Sequence, residues 1–385
     1  MKTFLYLALL LYSQLSWATP PEKITLQLHW KHQFEYAGYY IAKEKGYYRD
    51  AGLEVVLKEL PRGRTEMELL LAGEADYAIT GSNVLVDRIH GEPLVAVAAY
   101  TQYSPIALLV REDSGIRTVE DLRGKRIMVS KDNLTIFAML NQAGLQSSDY
   151  TIQPQSFNLQ DLVNGNTDAF AAFTTNQGFL LKEQGVSYRY IVPTDFGIDT
   201  YSDVLITTEQ EATHHRQRLQ NFRQATTAGW EYAYQHPEET IELILERYNS
   251  QNKSRAALEF EARELRKLVQ PLRIKLGQMR TEKWEHIHQI YVEQQQIPAE
   301  SSIEGLLFDQ KPRTTVVLSQ SEQAWLDRHP KFRIGVDPDW FPFEYLDEER
   351  QHRGVVADIM QRISVLLGVE MRVVEAPSWP AMMEQ

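Results

Sequence analysis

A chain of 385 residues exceeds one ordinary domain and is ample for two lobes with separate cores. Its 43% hydrophobic and 24% charged residues are those of a globular protein, and a formal net charge of -12 argues against nucleic acid, whose phosphates need a basic surface. The sequence has no cysteine, which excludes disulfides, thiolate nucleophiles and cysteine-ligated zinc.

Met1-Lys2, an apolar run from Phe4 to Tyr12 and the small residues Ser16 and Ala18 form a secretory signal pattern. It predicts export to a periplasm-type compartment, with cleavage after Ala18. From Lys23 on, short strand-type runs alternate with helix-type runs. Strands are expected at Ile24–His29, Leu53–Leu60, Tyr77–Thr80, Leu94–Tyr100 and Ile106–Arg111, with helices at Tyr36–Lys45, Thr65–Leu71 and Val84–Ile89 between them. The alternation resumes with strands at Arg126–Val129, Tyr150–Gln155 and Asp168–Phe173, and helices near Thr135–Gln142, Leu159–Val163 and Asn176–Glu183. Val204–Thr207 reads as a strand returning to the first unit.

This alternation implies an α/β chain with largely parallel sheets. Two such units in tandem make a two-lobed periplasmic-binding-protein fold (venus flytrap), with crossings near Glu112 and Asp199 and a ligand cleft between the lobes. Lobe 1 is expected over about 23–112 and 200–296, and lobe 2 over about 113–199. Thr213–Tyr291 is almost wholly helical and reads as a C-terminal helical cap; Leu258, Ala262, Leu265 and Val269 mark one buried face of it. Residues 297–330 read as a linker, rich in Pro, Ser, Gly and charge. Over 331–385, strands at Lys331–Val336 and Met371–Val374 flank an amphipathic helix at Gly354–Leu367, whose face carries Val355, Ile359, Ile363 and Leu366. Two strands and one helix are expected to be an incomplete second α/β module, the N-terminal part of a further domain.

The opening Trp30, the run Tyr36-Ala37-Gly38-Tyr39-Tyr40-Ile41-Ala42-Lys43-Glu44-Lys45-Gly46-Tyr47-Tyr48, and Ala51-Gly52-Leu53-Glu54-Val55 resemble the thiamine-pyrimidine-precursor-binding family. Gly73 to Ile79, Gly91 to Ala98, Ser104-Pro105, Asp121 to Arg126, Gly165 to Ala169 and Gly229 to Ala233 extend the resemblance over about residues 23–248. That family includes thiamine pyrimidine synthase and is related to nitrate, sulfonate and taurine uptake proteins. Further on, Arg333 to Asp337, Trp340 to Tyr345 and Gly354 to Ile359 resemble the start of an amino-acid-type extracellular solute-binding domain. The tandem is similar to the periplasmic part of transmembrane sensor kinases.

Candidate ligand contacts follow from position. Trp30, Phe34 and Tyr39 cluster after the first strand, where rings would stack on a flat heteroaromatic ligand, and Glu35 beside them could accept its hydrogen bonds. Gly81, Ser82 and Asn83 follow the third strand and open a helix, so their backbone N–H groups are free for a polar ligand. Gln102, Tyr103 and Ser104 follow the buried strand Leu94–Tyr100. Asn133, Asn176 and Asp199 are the second-lobe and crossing candidates. His29 and His32 flank Trp30, but no metal site, catalytic residue or cofactor is expected. The resemblance implies a small-molecule ligand of pyrimidine type. It also implies a partner, either membrane-anchored signalling domains of a longer parent chain or an ABC-type permease for precursor uptake. The synthase branch uses iron, pyridoxal phosphate and a cysteine-rich motif, and this cysteine-free sequence departs from it.

Overall fold

The computed structural model describes residues 20–270, 273–308, 320–347, 350–367, 369–374, 376 and 378–383. The signal pattern therefore lies outside the described residues. Two compact units divide the chain, Met1–Asp309 and Gln310–Gln385. Among the described residues no helix is long and apolar enough to cross a membrane.

The first unit begins with β1 (Glu22–Gln27), α1 (Ala37–Glu44), β2 (Leu53–Lys58), α2 (Glu66–Leu71), β3 (Tyr77–Thr80), α3 (Val84–Ile89) and β4 (Leu94–Thr101). Local chemistry sets the boundaries. Gly46, with φ of 82°, ends the turn after α1 in a left-handed conformation that costs glycine little. Thr65 and Glu68 close a reciprocal capping box at the start of α2. All eight residues of β4 are buried, which explains why it reads as a continuous apolar run rather than an alternating one.

The chain then crosses to the second lobe: β5 (Ile106–Arg111), β6 (Arg126–Met128), α4 (Leu134–Gln142), β7 (Thr151–Gln153), β8 (Ala169–Phe173), α5 (Gln177–Glu183) and β9 (Tyr188–Ile191). It returns through β10 (Ser202–Thr208) to the helices α6 (Arg216–Gln235), α7 (Pro237–Arg247), α8 (Arg255–Val269) and α9 (Thr281–Glu293).

The sheet orders are β2-β1-β3-β10-β4 and β7-β6-β8-β5-β9. In each, the fourth strand is the one that has just crossed from the other lobe. β10 runs antiparallel to β3 and β4, and β5 antiparallel to β8 and β9, while β1 with β2 and β3, and β6 with β7 and β8, are parallel. The expected crossing near Glu112 is therefore corrected. β5 already belongs to the second sheet, so the chain crosses at residues 102–105, and a strand's own sequence does not say which sheet it joins. The return crossing spans 192–201 and includes Asp199, as expected.

The lobe 1 core is aromatic. Trp230 of α6 stacks on Tyr100 and Tyr234, with ring centroids 5.8 and 5.4 Å away. Helices α1 and α6 meet at Gly38 and Gly229: a Cβ on Gly229 would lie 2.1 Å from the Gly38 carbonyl oxygen, and one on Gly38 would lie 2.2 Å from the Trp230 ring.

The expected linker over 297–330 is also corrected over 297–308, while residues 309–319 lie outside the described residues. Ile303, Leu306, Leu307 and Phe308 are buried. Leu306 O accepts from Ala96 N at 2.7 Å and Phe308 N donates to Ala96 O at 2.9 Å, so this segment covers the outer edge of β4. Gly277 bridges the same strand at Ala99.

In the second unit, α10 (Gln320–Arg328) precedes β11 (Lys331–Gly335), β12 (Asp339–Trp340), β13 (Glu344–Leu346), β14 (His352–Arg353), α11 (Val355–Leu367), β15 (Glu370–Val374) and α12 (Trp379–Met383). β11 pairs in parallel with β15, and β12, β13 and β14 form a small antiparallel sheet. This exceeds the expected two strands and one helix. Trp340, Phe341, Phe343, Val355 and Ile359 are exposed.

Candidate functional site

A cavity of 410 Å³ lies between the two lobes, within the size range of small-molecule sites. The C-terminal ends of parallel strands build it, as an open α/β sheet dictates. The loop after β1 supplies His29, Trp30, Gln33 and Glu35, and the turn after β3 supplies Gly81, Ser82 and Asn83. Lobe 2 faces them with Asp132, Asn133 and Thr135 at the start of α4, Gln155 and Phe157 after β7, and Phe173, Asn176 and Gln177 from the end of β8 to the start of α5. Ser104 and Ser202 line the crossings, and Tyr291 reaches in from α9.

The sequence candidates thus divide. Trp30, Gly81, Ser82, Asn83, Ser104, Asn133 and Asn176 come together around the cavity. Asn133 also caps α4, its side chain accepting from Ile136 N at 3.1 Å, and Ser82 Oγ is 3.2 Å from Tyr291 OH. Phe34, Tyr39, Gln102, Tyr103 and Asp199 do not line it. Phe34 and Tyr39 are buried in the lobe 1 core, where Tyr39 packs edge-on against Tyr100 and Trp230. The α6 helix covers the outside of α1, so α1 has no face left for the cleft. The Gln102 side chain instead donates to Ala99 O and Gln278 O, both at 2.9 Å.

Tyr103 and Asp199 belong to the two crossings. Lys283 of α9 donates to Gln102 O and to Asp199 Oδ1, both at 2.5 Å, and its Nζ lies 4.6 Å from the ring centres of both Tyr103 and Tyr201. One buried ammonium therefore ties the outward crossing to the return crossing. Burial lowers the Lys283 pKa, and Asp199 opposes that shift.

Contacts between the lobes are made around the cavity. Trp30 meets Phe157 with ring centroids 4.9 Å apart, and Phe260 of α8 meets Phe179 of α5 at 5.4 Å. Lys253 donates across to Asn176 Oδ1 at 3.2 Å while also pairing with Glu261 at 3.3 Å. Phe157 is 63% exposed and has φ of 58°, a left-handed conformation that costs a non-glycine residue of order 1–2 kcal/mol. Phe157 is the main aromatic that sequence reading missed. Its one signal is an apolar ring in the polar run Gln155 to Asn158, directly after a strand.

The lobe 1 wall is acidic. Glu35 is buried, and burial followed by the nearby Asp203 pushes its pKa well above the usual carboxylate range. Glu66 accepts from Thr80 Oγ1 at 2.6 Å. Asp203 has φ of 51° within β10, a conformation no sequence pattern announces. Neither lysine nor arginine lines the cavity among the described residues.

Residues 332–385 match the family model "Bacterial extracellular solute-binding proteins, family 3". The chain is 25% identical over 234 residues to a putative thiamine biosynthesis protein of Haemophilus influenzae, covering 58% of this chain and 73% of that one. It is 23% identical over 238 residues to the formylaminopyrimidine-binding protein of Halalkalibacterium halodurans, covering 60% and 72%. Among solved structures, the alkanesulfonate-binding protein SsuA of Xanthomonas axonopodis pv. citri bound to MOPS superposes with a TM-score of 0.59 at 17% identity, covering 75% of this chain and 99% of that one. That likeness carries the two-lobed binding-protein fold. Residues 33–240 match the model described as "NMT1/THI5 like", and the chain belongs to that family.

Proposed function

We propose that this chain is an exported solute-binding protein whose lobes close on a flat, nitrogen-bearing heterocycle of the thiamine-related pyrimidine class. The observation that carries the reading is the aromatic pair Trp30 and Phe157, one ring from each lobe, over a cavity whose charged lining is acidic. Rings stack on a flat π-system, and buried carboxylates and amides accept and donate at its polar edge. A sulfonate or phosphate would meet neither lysine nor arginine in the lining and would face the carboxylates of Glu66 and Asp132, so the lining disfavours anions. Binding rather than catalysis fits a chain without the cysteines of the synthase branch. Closure follows because a ligand touching both lobes stabilises the state in which both contacts exist.

A thermal-shift screen tests the reading. A pyrimidine at roughly a hundredfold excess over its Kd should add about 2.7 kcal/mol of stability, while alkanesulfonates add none. A response to sulfonates alone would overturn it. Trp30→Ala should weaken pyrimidine binding about ten- to hundredfold, equivalent to roughly 1–3 kcal/mol of lost stacking and burial, with an unchanged circular dichroism spectrum. Unchanged affinity would remove Trp30 from the site.

We read the output as sensory, because a second binding-type segment follows the first in one chain. A membrane helix encoded further along the same reading frame would carry that reading. A permease gene alongside, with no such helix, would carry uptake instead.

A further inference from the structure

We propose that His29, Glu35 and Asp203 form a binding site for a divalent transition-type metal ion in the lobe 1 wall of the cavity. Glu35 and Asp203 are 3% and 2% exposed, and Glu35 Oε1 and Asp203 Oδ1 accept from no donor group of the surrounding protein. These two free oxygens lie 3.9 and 3.8 Å from His29 Nε2, and all three donor atoms fall within 4.8 Å of one another. The opposite oxygen of each carboxylate is held: Gln33 Nε2 donates to Glu35 Oε2, and Thr101 Oγ1 donates to Asp203 Oδ2 at 2.5 Å. The edge of Tyr36 packs against the His29 ring at 5.6 Å. Each carboxylate is thus fixed through one oxygen and offers the other, which is how outer partners orient metal ligands.

Two adjacent buried carboxylates can be ionised together only beside a compensating positive charge. Among the described residues, their ion pairs are those to His29. Donor atoms at these separations leave a central point roughly 2.1–2.5 Å from each, the length of metal–ligand bonds. An organic ammonium in that plane would need about 2.8–3.0 Å to each acceptor. One imidazole nitrogen with two carboxylate oxygens suits Zn²⁺, Co²⁺ or Mn²⁺ better than an all-oxygen ion or a thiolate-seeking one. His29 and Glu35 line the cavity, so the remaining coordination positions face the space where a solute binds.

The full chain, stripped with chelator, is titrated with CoCl₂ and then with ZnCl₂ and MnCl₂. The expected result is one equivalent of Co²⁺ with the intense visible spectrum of a low-coordinate site, displaced by Zn²⁺. Glu35→Gln and Asp203→Asn should each weaken Co²⁺ binding more than about 100-fold, beyond the loss from an outer partner. Absence of binding at millimolar metal, or binding that both variants retain, would overturn the site. Should either variant fail to fold, the wild-type spectrum decides, because a weak six-coordinate aquo-type spectrum also overturns it. Pyrimidine binding that is indifferent to chelator yet lost in both variants would assign the cluster to the organic solute and overturn the metal. Pyrimidine affinity and its dependence on Trp30 are read separately, so either idea can fail without the other.

Discussion

Gly229→Ala should destabilise the first unit by roughly 3 kcal/mol or more, seen as a lower urea midpoint at unchanged slope. Taken locally, the change should help. Gly229 lies inside α6, and replacing a helical glycine with alanine gains about 1 kcal/mol of propensity. The environment reverses that sign. The added Cβ would sit 2.1 Å from the Gly38 carbonyl oxygen and 2.9 Å from both Ala42 N and Ala42 Cβ. Two of these three atoms are backbone, so relief requires α1 and α6 to separate, which loosens the edge-on contact of Tyr39 with Trp230 and the stack of Trp230 on Tyr100. Gly73→Ala is the matched control. Gly73 has φ of 71° with nothing within 4 Å of the added atom, so it should cost only about 1–2 kcal/mol of left-handed strain. A Gly229→Ala midpoint at or above wild type would show that the helices do not need their close approach.

Leu306→Ala should cost about 2–5 kcal/mol. In a linker a leucine is dispensable, and the same change falls within about 0.5 kcal/mol of neutral. Leu306 instead is 0% exposed and packs with Trp284, Ile287 and Tyr291 in one apolar cluster. Its backbone holds Ala96 at the edge of β4. Truncation leaves a cavity beneath that edge, which the surrounding sheet cannot collapse to fill. Chemical unfolding followed by tryptophan fluorescence measures it. A variant as stable as wild type would restore the linker reading.

That contrast shows where sequence reading reached and where it stopped. Apolar patterning, alternating in β1 and continuous in β4, placed β1 to β4 within a few residues, because that pattern is a local property. Pairing is not local: Ile106–Arg111 was legible as a strand, yet only its register against β8 and β9 assigns it to lobe 2. The segment around Leu306 looked like a linker because proline, serine and charge surround four buried side chains. The site followed the same logic. Trp30 and Ser82 could be placed at the cavity because the ends of parallel strands meet the cleft. Tyr39 was misplaced because α6 covers the side of α1 that looked free. Asp199 was taken for a ligand contact because its partner, Lys283, lies 84 residues further along the chain. The cluster of Glu35 with Asp203 was beyond reach for a similar reason: β10 carries Asp203 to it, in a left-handed conformation.

The exchange of fourth strands also orders events in time. Residues 106–191 are contiguous and hold every strand of the second sheet, so that lobe can assemble from its own stretch of chain. The first lobe cannot. β3 and β4 do not pair with each other and join one sheet only when β10 enters between them, pairing Val204 with Thr80 on one side and with Ala99 on the other. All of lobe 2 is synthesised between Ala99 and Val204, and pairings of such long span form late. Until then β3 and β4 each present an open edge, and the crossings that Lys283 will later clasp are loose. The lobe that begins first is therefore the one completed last.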